Sequence, residues 1–207
     1  MTLIMKSDSY ARGDVIAANM HRDRRRVFVD LLKWDLPVVG GEFEVDQFDN
    51  ASAVYLIVAD EQCNHLGSIR LLPTSRPHIL GSYFADLCDG AVPTGPNIYE
   101  ITRCCFSPRI RASERIRVRN QLATAATEFA LFNGIDSYTC IATGGLYSQI
   151  LALGWMCEPL GLPRIVDHTL TGALKISITR ETPQLLFEAG TYSHSTLELA
   201  TPALLAA

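Results

Sequence analysis

Between residues 115 and 132 the chain carries its strongest helical repeat, with Leu122, Ala125, Ala126, Phe129 and Ala130 on one face. Strand-like runs enclose it. Residues 97–106 read as a strand closed by Pro108, and residues 138–143 read as another after the Asn133-Gly134 stop. Upstream, 53–59 is a β-rich run, 60–65 a hairpin turn and 66–72 an alternating strand ended by Pro73. Downstream, Gly144-Gly145 leads into a short helix over 146–153, and a strand follows over 174–179. An amphipathic helix over 15–34 opens the fold, with Val15, Ile16, Met20, Val27, Phe28, Leu31 and Leu32 at helical spacing. This order of elements predicts an α/β sandwich built on a central mixed, twisted sheet.

The chain has 207 residues, 48% hydrophobic and 19% charged, which suits one globular domain over 1–207, with a tail expected to fray from about residue 193. A net charge of −4 supplies no uniform positive field for nucleic acid. No apolar stretch is long enough to cross a bilayer, and the first residues lack a secretory core, so a cytoplasmic protein is expected. The six cysteines never form a C-x-x-C pair and the five histidines are scattered, which predicts reduced thiols and no metal site. No G-x-G-x-x-G or Walker loop offers a phosphate cradle.

Two charged groups of complementary sign stand out. Glu44, Asp46 and Asp49 lie in the acidic loop 42–52, whereas Arg70, Glu100 and Arg103 project from strands. Guanidinium forks match carboxylates in bidentate geometry, so Asp46 and Asp49 are expected to pair with Arg70 and Arg103. An ion-pair brace without catalysis is the plainer alternative.

Arg24, Phe28 and Trp34, then E-x-D-Q-F-D at 44–49, S-I-R-L-L-P-T at 68–74 and Y-E-I-T-R at 99–103, form an ordered set that resembles the LuxI-type autoinducer synthases, the acyl-homoserine-lactone synthases. The resemblance implies an N-acetyltransferase-like fold. It also implies acyl transfer from an acylated acyl carrier protein, or acyl coenzyme A, to S-adenosylmethionine, followed by lactonisation with release of methylthioadenosine. Both are substrates, and no tightly bound cofactor is expected. By the same resemblance Arg24, Phe28 and Trp34 enclose the adenosylmethionine, with Asp46, Asp49, Arg70, Glu100 and Arg103 as the charged cluster beside it. The alternatives are an N-acyltransferase of the same fold that acts on another amine, and an inactive ligand-binding homologue.

Physical chemistry assigns the roles further. Phe28 and Trp34 offer faces to adenine or a sulfonium; core packing is an equal reading for Phe28. Arg24 suits a substrate carboxylate, although periodicity does not say which arginine of the 24–26 run turns inward. Acyl transfer needs a neutral amine, for which Glu100 is the first candidate base or orienter and Glu44 the second. Phe84, Phe106, Cys140, Thr143 and Leu146 are candidates for the acyl and pantetheine path. A threonine in the strand 138–143 is tied by the resemblance to 3-oxo chains, and Thr139, Cys140 and Thr143 leave its register open. Arg109, Arg111, Arg115, Arg117 and Arg119 crowd the start of the long helix and suit an acidic carrier protein; a solvated face is the alternative.

Overall fold

The computed structural model describes residues 1–6, 15–194 and 197–199. The elements are β1 (Thr2–Lys6), α1 (Val15–Arg24) continued by a π-helical segment (Arg25–Leu31), β2 (Val38–Val39), β3 (Phe43–Glu44), β4 (Val54–Ala59) and β5 (His65–Pro73). There follow α2 (Ile79–Tyr83), a 3-10 turn (Ala85–Leu87), β6 (Ile98–Phe106), α3 (Ala112–Asn133), β7 (Ser137–Thr143) and α4 (Gly144–Leu151). The chain closes with β8 (Met156–Pro159), β9 (Arg164–Val166), β10 (Thr169–Ser177), α5 (Thr182–Glu188) and β11 (Leu197–Leu199). The architecture is mixed α/β with a mostly antiparallel sheet, in which β1–β11 and β6–β7 are parallel pairs. No helix among the described residues is long and apolar enough to cross a membrane.

The chain divides into two compact units, Met1–Arg70 with Arg103–Ala125 and His194–Ala207, and Leu71–Thr102 with Ala126–Ser193. β5, β6 and α3 contribute residues to both. In the first unit the strands run in the order β11-β1-β4-β5. Every residue of β4 is buried, as its uninterrupted apolar run requires. The β2–β3 hairpin turns through Gly40 and Gly41, at φ +60° and +68°, a pairing of left-handed residues that side chains disfavour. At Gly67 a Cβ would lie 2.6 Å from Val118 Cγ1, so the absent side chain sets how closely β5 approaches α3.

In the second unit β7 pairs with β10, and β10 with β8 and β9. Leu80, Leu87 and Ala173 form a buried cluster, with Phe84, Cys88, Val92, Ile141, Leu160 and Val166 packed against it. Trp155 Nε1 donates to Thr127 Oγ1 at 2.9 Å and Tyr138 Oη to the Ala126 carbonyl at 2.9 Å, so both large aromatics are buried with their polar ends satisfied.

The long helix and the strands flanking it lie where the sequence places them, and all five of its named apolar residues are buried. The opening helix differs. Val15, Leu31 and Leu32 are exposed, while His21, Asp23 and Arg24 turn inward, because each of these polar side chains has a buried partner. β1, β8 and β9 were not anticipated: short apolar runs carry too little periodicity to be assigned. In the tail, Leu197–Leu199 pairs in parallel with β1 and so departs from a frayed end there; residues 195–196 and 200–207 lie outside the described residues.

Candidate functional site

Within the first unit, three arginines and three carboxylates from four segments make one buried lattice. Arg24 Nε donates to Glu44 Oε2 at 2.5 Å, and its Nη1 and Nη2 form a fork on Asp49 at 2.8 Å each. Arg70 forks onto Asp46 at 2.7 and 3.0 Å and reaches Asp49 Oδ1 at 2.7 Å. Arg103 donates to Glu44 at 3.1 Å and to Asp46 Oδ2 at 2.6 Å. Tyr55 Oη and the Asp46 amide donate to Asp49 as well, at 2.6 and 2.8 Å. The expected pairing of Asp46 with Arg70 and Arg103 is present, and Arg24 is the arginine of the run that faces inward.

Burial alone would raise the Asp49 carboxyl, but the hydrogen bonds and charge of Arg24, the charge of Arg70 and the Tyr55 hydroxyl hold it well below the usual carboxylate range. Burial and the adjacent Asp49 push the Tyr55 hydroxyl up, so it remains a donor. Glu44, Asp46 and Asp49 offer oxygens within 4.8 Å of one another, a spacing that suits a cation, and the positive charge beside them comes from the three guanidiniums. Removing one member of such a network strands its partners and costs about 3–5 kcal/mol.

Arg103 sits at φ +49°, rare for a side chain within a strand. That backbone strain, of order 1–3 kcal/mol, persists because the guanidinium is fixed by Glu44, by Asp46 and by the Phe28 ring, whose centroid is 5.6 Å away. Phe28 is buried and stacks on Trp34, centroids 5.1 Å apart and planes 10° from parallel; Trp34 itself is 43% exposed. Two stacked rings, one of them faced by the Arg103 guanidinium, therefore adjoin the lattice.

A second buried network holds α1 to β5. Asp23 Oδ2 lies 2.9 Å from His65 Nδ1, and His65 Nε2 lies 3.0 Å from Ser68 Oγ. The arrangement has the order of a hydrolytic triad, yet all three side chains are buried and Arg109 closes Asp23 with a fork at 2.8 and 2.9 Å. It is a brace. Burial would raise Asp23, but bonds from His65, Ser107 and Arg109 hold it down to about 2. Burial lowers His65, keeping the ring neutral, so Nδ1 donates to Asp23 and Nε2 accepts from Ser68.

Arg109, whose side chain is half exposed, therefore braces Asp23 while remaining on the arginine-rich face expected to dock a carrier protein. Of the remaining four, Arg111, Arg115 and Arg117 are exposed; Arg115 lies over the Phe106 ring at 6.0 Å and Arg117 bonds Glu114 at 3.2 Å. Arg119 is half-buried and donates to Asn120. Phe106 falls in the first unit, whereas Phe84, Cys140, Thr143 and Leu146 fall in the second. Cys140 is buried on β7, Thr143 precedes α4, and Leu146 is half-buried within it.

Glu100 is buried on β6 in the second unit. Its Oε2 accepts the Ile79 amide at 2.7 Å and its Oε1 the Leu80 amide at 2.8 Å, so both oxygens hold the first turn of α2. Thr139 is its register partner on β7, and the Thr139 Oγ1 is buried without a hydrogen-bond partner among the described residues. His78 Nε2 is likewise buried and unpartnered. Such an atom costs about 1–3 kcal/mol unless something satisfies it. Sequence reasoning missed Tyr55, His78 and the Asp23–His65–Ser68 brace, because single polar residues on apolar elements carry no spacing signal. None of the six cysteines is in a disulfide, and burial pushes Cys104 up to about 12 and Cys157 to about 11, so neither offers a thiolate.

The family model described as Autoinducer synthase matches residues 8–184, through both units. An acyl-homoserine-lactone synthase of Agrobacterium fabrum is 30% identical over 208 residues, covering 96% of this chain and 96% of that protein. A solved structure described as a CoA-dependent acyl-homoserine lactone synthase, BjaI, with SAM and isopentyl-CoA superposes with a TM-score of 0.85 at 26% identity, covering 98% of this chain and 94% of that one. An acyl-CoA N-acyltransferase from Pseudomonas aeruginosa, 17% identical with a TM-score of 0.59 over 84% of this chain and 97% of that one, shares the fold.

Proposed function

The chain belongs to the autoinducer synthase family and its reaction is acyl-homoserine-lactone synthesis, an acyl transfer that yields a quorum-sensing signal; on that premise we propose how its own residues carry the reaction. The observation that bears most weight is the lattice of Arg24, Arg70 and Arg103 with Glu44, Asp46 and Asp49, adjoined by the Phe28–Trp34 stack.

S-adenosylmethionine is the acceptor. The uncovered face of Trp34, backed by the buried ring of Phe28, favours its adenine and sulfonium, a contact worth about 1–2 kcal/mol when dry. Arg24 serves that region by fixing Glu44 and Asp49, and Arg70 and Arg103 fix Asp46, so the loop is held rigid before the substrate arrives. Glu100 orients the amine through the α2 turn it holds. Glu44, engaged by two arginines, acts as part of the lattice.

The donor is a thioester on a pantetheine arm, whose acyl chain follows Phe84, Cys140, Thr143 and Leu146, with Phe106 on the arm. Acyl carrier protein delivers it against exposed Arg111, Arg115 and Arg117, and coenzyme A is the competing donor. The amine attacks the thioester carbonyl; a C–N bond forms and the C–S bond breaks. The substrate carboxylate then attacks its own γ-carbon, and the electron pair of the broken C–S bond returns to sulfur as neutral methylthioadenosine. That second step requires a folded conformer more than an added catalyst. The work is done in the cytoplasm, by residues 1–207 acting as one synthase domain.

Incubation of the purified chain with S-adenosylmethionine and matched acyl-carrier-protein and acyl-coenzyme A series tests this. Lactone and methylthioadenosine should appear in equal amounts, faster with the carrier-bound series. Release of methylthioadenosine without acylated lactone would refute the order of steps, and preference for the coenzyme series would replace the proposed donor.

A further inference from the structure

Both oxygens of Glu100 accept backbone amides, and the residue those amides follow is His78. Its Nδ1 lies 2.9 Å from the Arg76 carbonyl oxygen, which can only accept. The proton of the neutral ring is therefore on Nδ1, and Nε2 is a bare acceptor. The side chain is 4% exposed, and Nε2 has no hydrogen-bond partner among the described residues. Beside it is Gly81: a Cβ there would come within 2.9 Å of Nε2 and 2.8 Å of Cε1, so any side chain at 81 would have to displace the ring. The protein thus builds a buried imidazole nitrogen, fixes its tautomer through Arg76, packs a glycine against the ring, and sets its backbone through Glu100. Among the described residues none supplies a donor for it.

We propose that the missing donor is the amine of the acceptor amino acid, and that His78 Nε2 takes its proton during acyl transfer while Glu100 acts as the positioning residue. The inference rests on the synthase reading above. As the amine nitrogen bonds to the thioester carbon, the C–S pair leaves on the pantetheine sulfur. The amine proton passes to Nε2 and from the imidazolium to the thiolate, leaving amide, free thiol and neutral histidine. Imidazole is the side chain suited to such an exchange near neutral pH, and this assignment frees Glu100 from serving as both clamp and base.

Three variants test it in the full chain. His78→Asn keeps an N–H for the Arg76 carbonyl but removes Nε2, His78→Gln offers an oxygen that accepts a hydrogen bond but takes no proton, and His78→Ala leaves room for imidazole. Each should lose about 100-fold or more in kcat, with KM for S-adenosylmethionine changed by no more than about threefold, and added imidazole should restore His78→Ala by about tenfold or more. Turnover of His78→Asn or His78→Gln within about threefold of the parent overturns the proposal, as does a loss that imidazole does not restore. Failure of the unsubstituted chain to make lactone would instead overturn the synthase reading on which it rests.

Discussion

Replacing Glu100 with Gln tests the claim that this carboxylate holds α2. Both carboxylate oxygens accept amides, from half-buried Ile79 at 2.7 Å and buried Leu80 at 2.8 Å. Glutamine retains one oxygen and turns an NH2 toward the other amide, donor against donor. One charge-assisted bond becomes neutral, a loss of about 1 kcal/mol, and one buried N–H is left unsatisfied at about 1–3 kcal/mol. The expected cost is about 2–4 kcal/mol of folding stability, a large share of the roughly 5–15 kcal/mol that a domain holds. From sequence alone the same change reads as a loss of turnover with little change in folding; the two amide bonds are what alter that expectation. Urea unfolding should show the midpoint falling with the slope unchanged. A destabilisation below about 0.5 kcal/mol would mean that the amides find other acceptors, and the positioning role of Glu100 would fail.

Two further outcomes can be measured, beside the His78 series and the donor comparison. Burial lowers both His21, with Arg24 adding to the effect, and His65, so the folded state keeps both rings neutral while the unfolded chain takes up protons below about 6.5. Stability is fully present above that pH and falls on acidification, by up to about 1.4 kcal/mol per pH unit for each ring; denaturant midpoints unchanged between pH 7.5 and 5.5 would refute it. Reversing the charge of Arg115 and Arg117, both exposed, should weaken carrier-protein binding in a salt-dependent manner with stability nearly unchanged, whereas the same reversal at Arg109 should destabilise the fold by removing the Asp23 fork. Equal binding by the Arg115 and Arg117 variant and the parent would mark that face as merely solvated.

Where hydrophobic repeat and burial agree, the sequence is a good guide: Leu122, Ala125, Ala126, Phe129 and Ala130 line the buried face of α3, and Arg70, Glu100 and Arg103 lie on strands as expected. The lattice was legible as a complement of charges, because acidic and basic groups in that number need one another when dry. Its wiring was not. Arg24 and Arg109 sit in arginine-rich runs of similar appearance, and only the position of Asp49, Glu44 and Asp23 in space decides which members are bound. His78 is invisible for the opposite reason: what marks it is a contact the protein does not make.

The π-helical segment 25–31 has a geometric consequence for the aromatic pair. In a regular helix, residues six apart are separated by about 9 Å along the axis and two-thirds of a turn around it, so their rings never meet. Here the Leu32 amide reaches back to the Val27 carbonyl at 2.9 Å and the Trp34 amide to the Phe28 carbonyl at 2.9 Å, with Lys33 at φ +59° reversing the chain between them. One surplus residue wound into the coil is what folds the indole back onto the phenyl ring; excising any single residue from 29 to 33 would leave a tidier helix and pull the two apart.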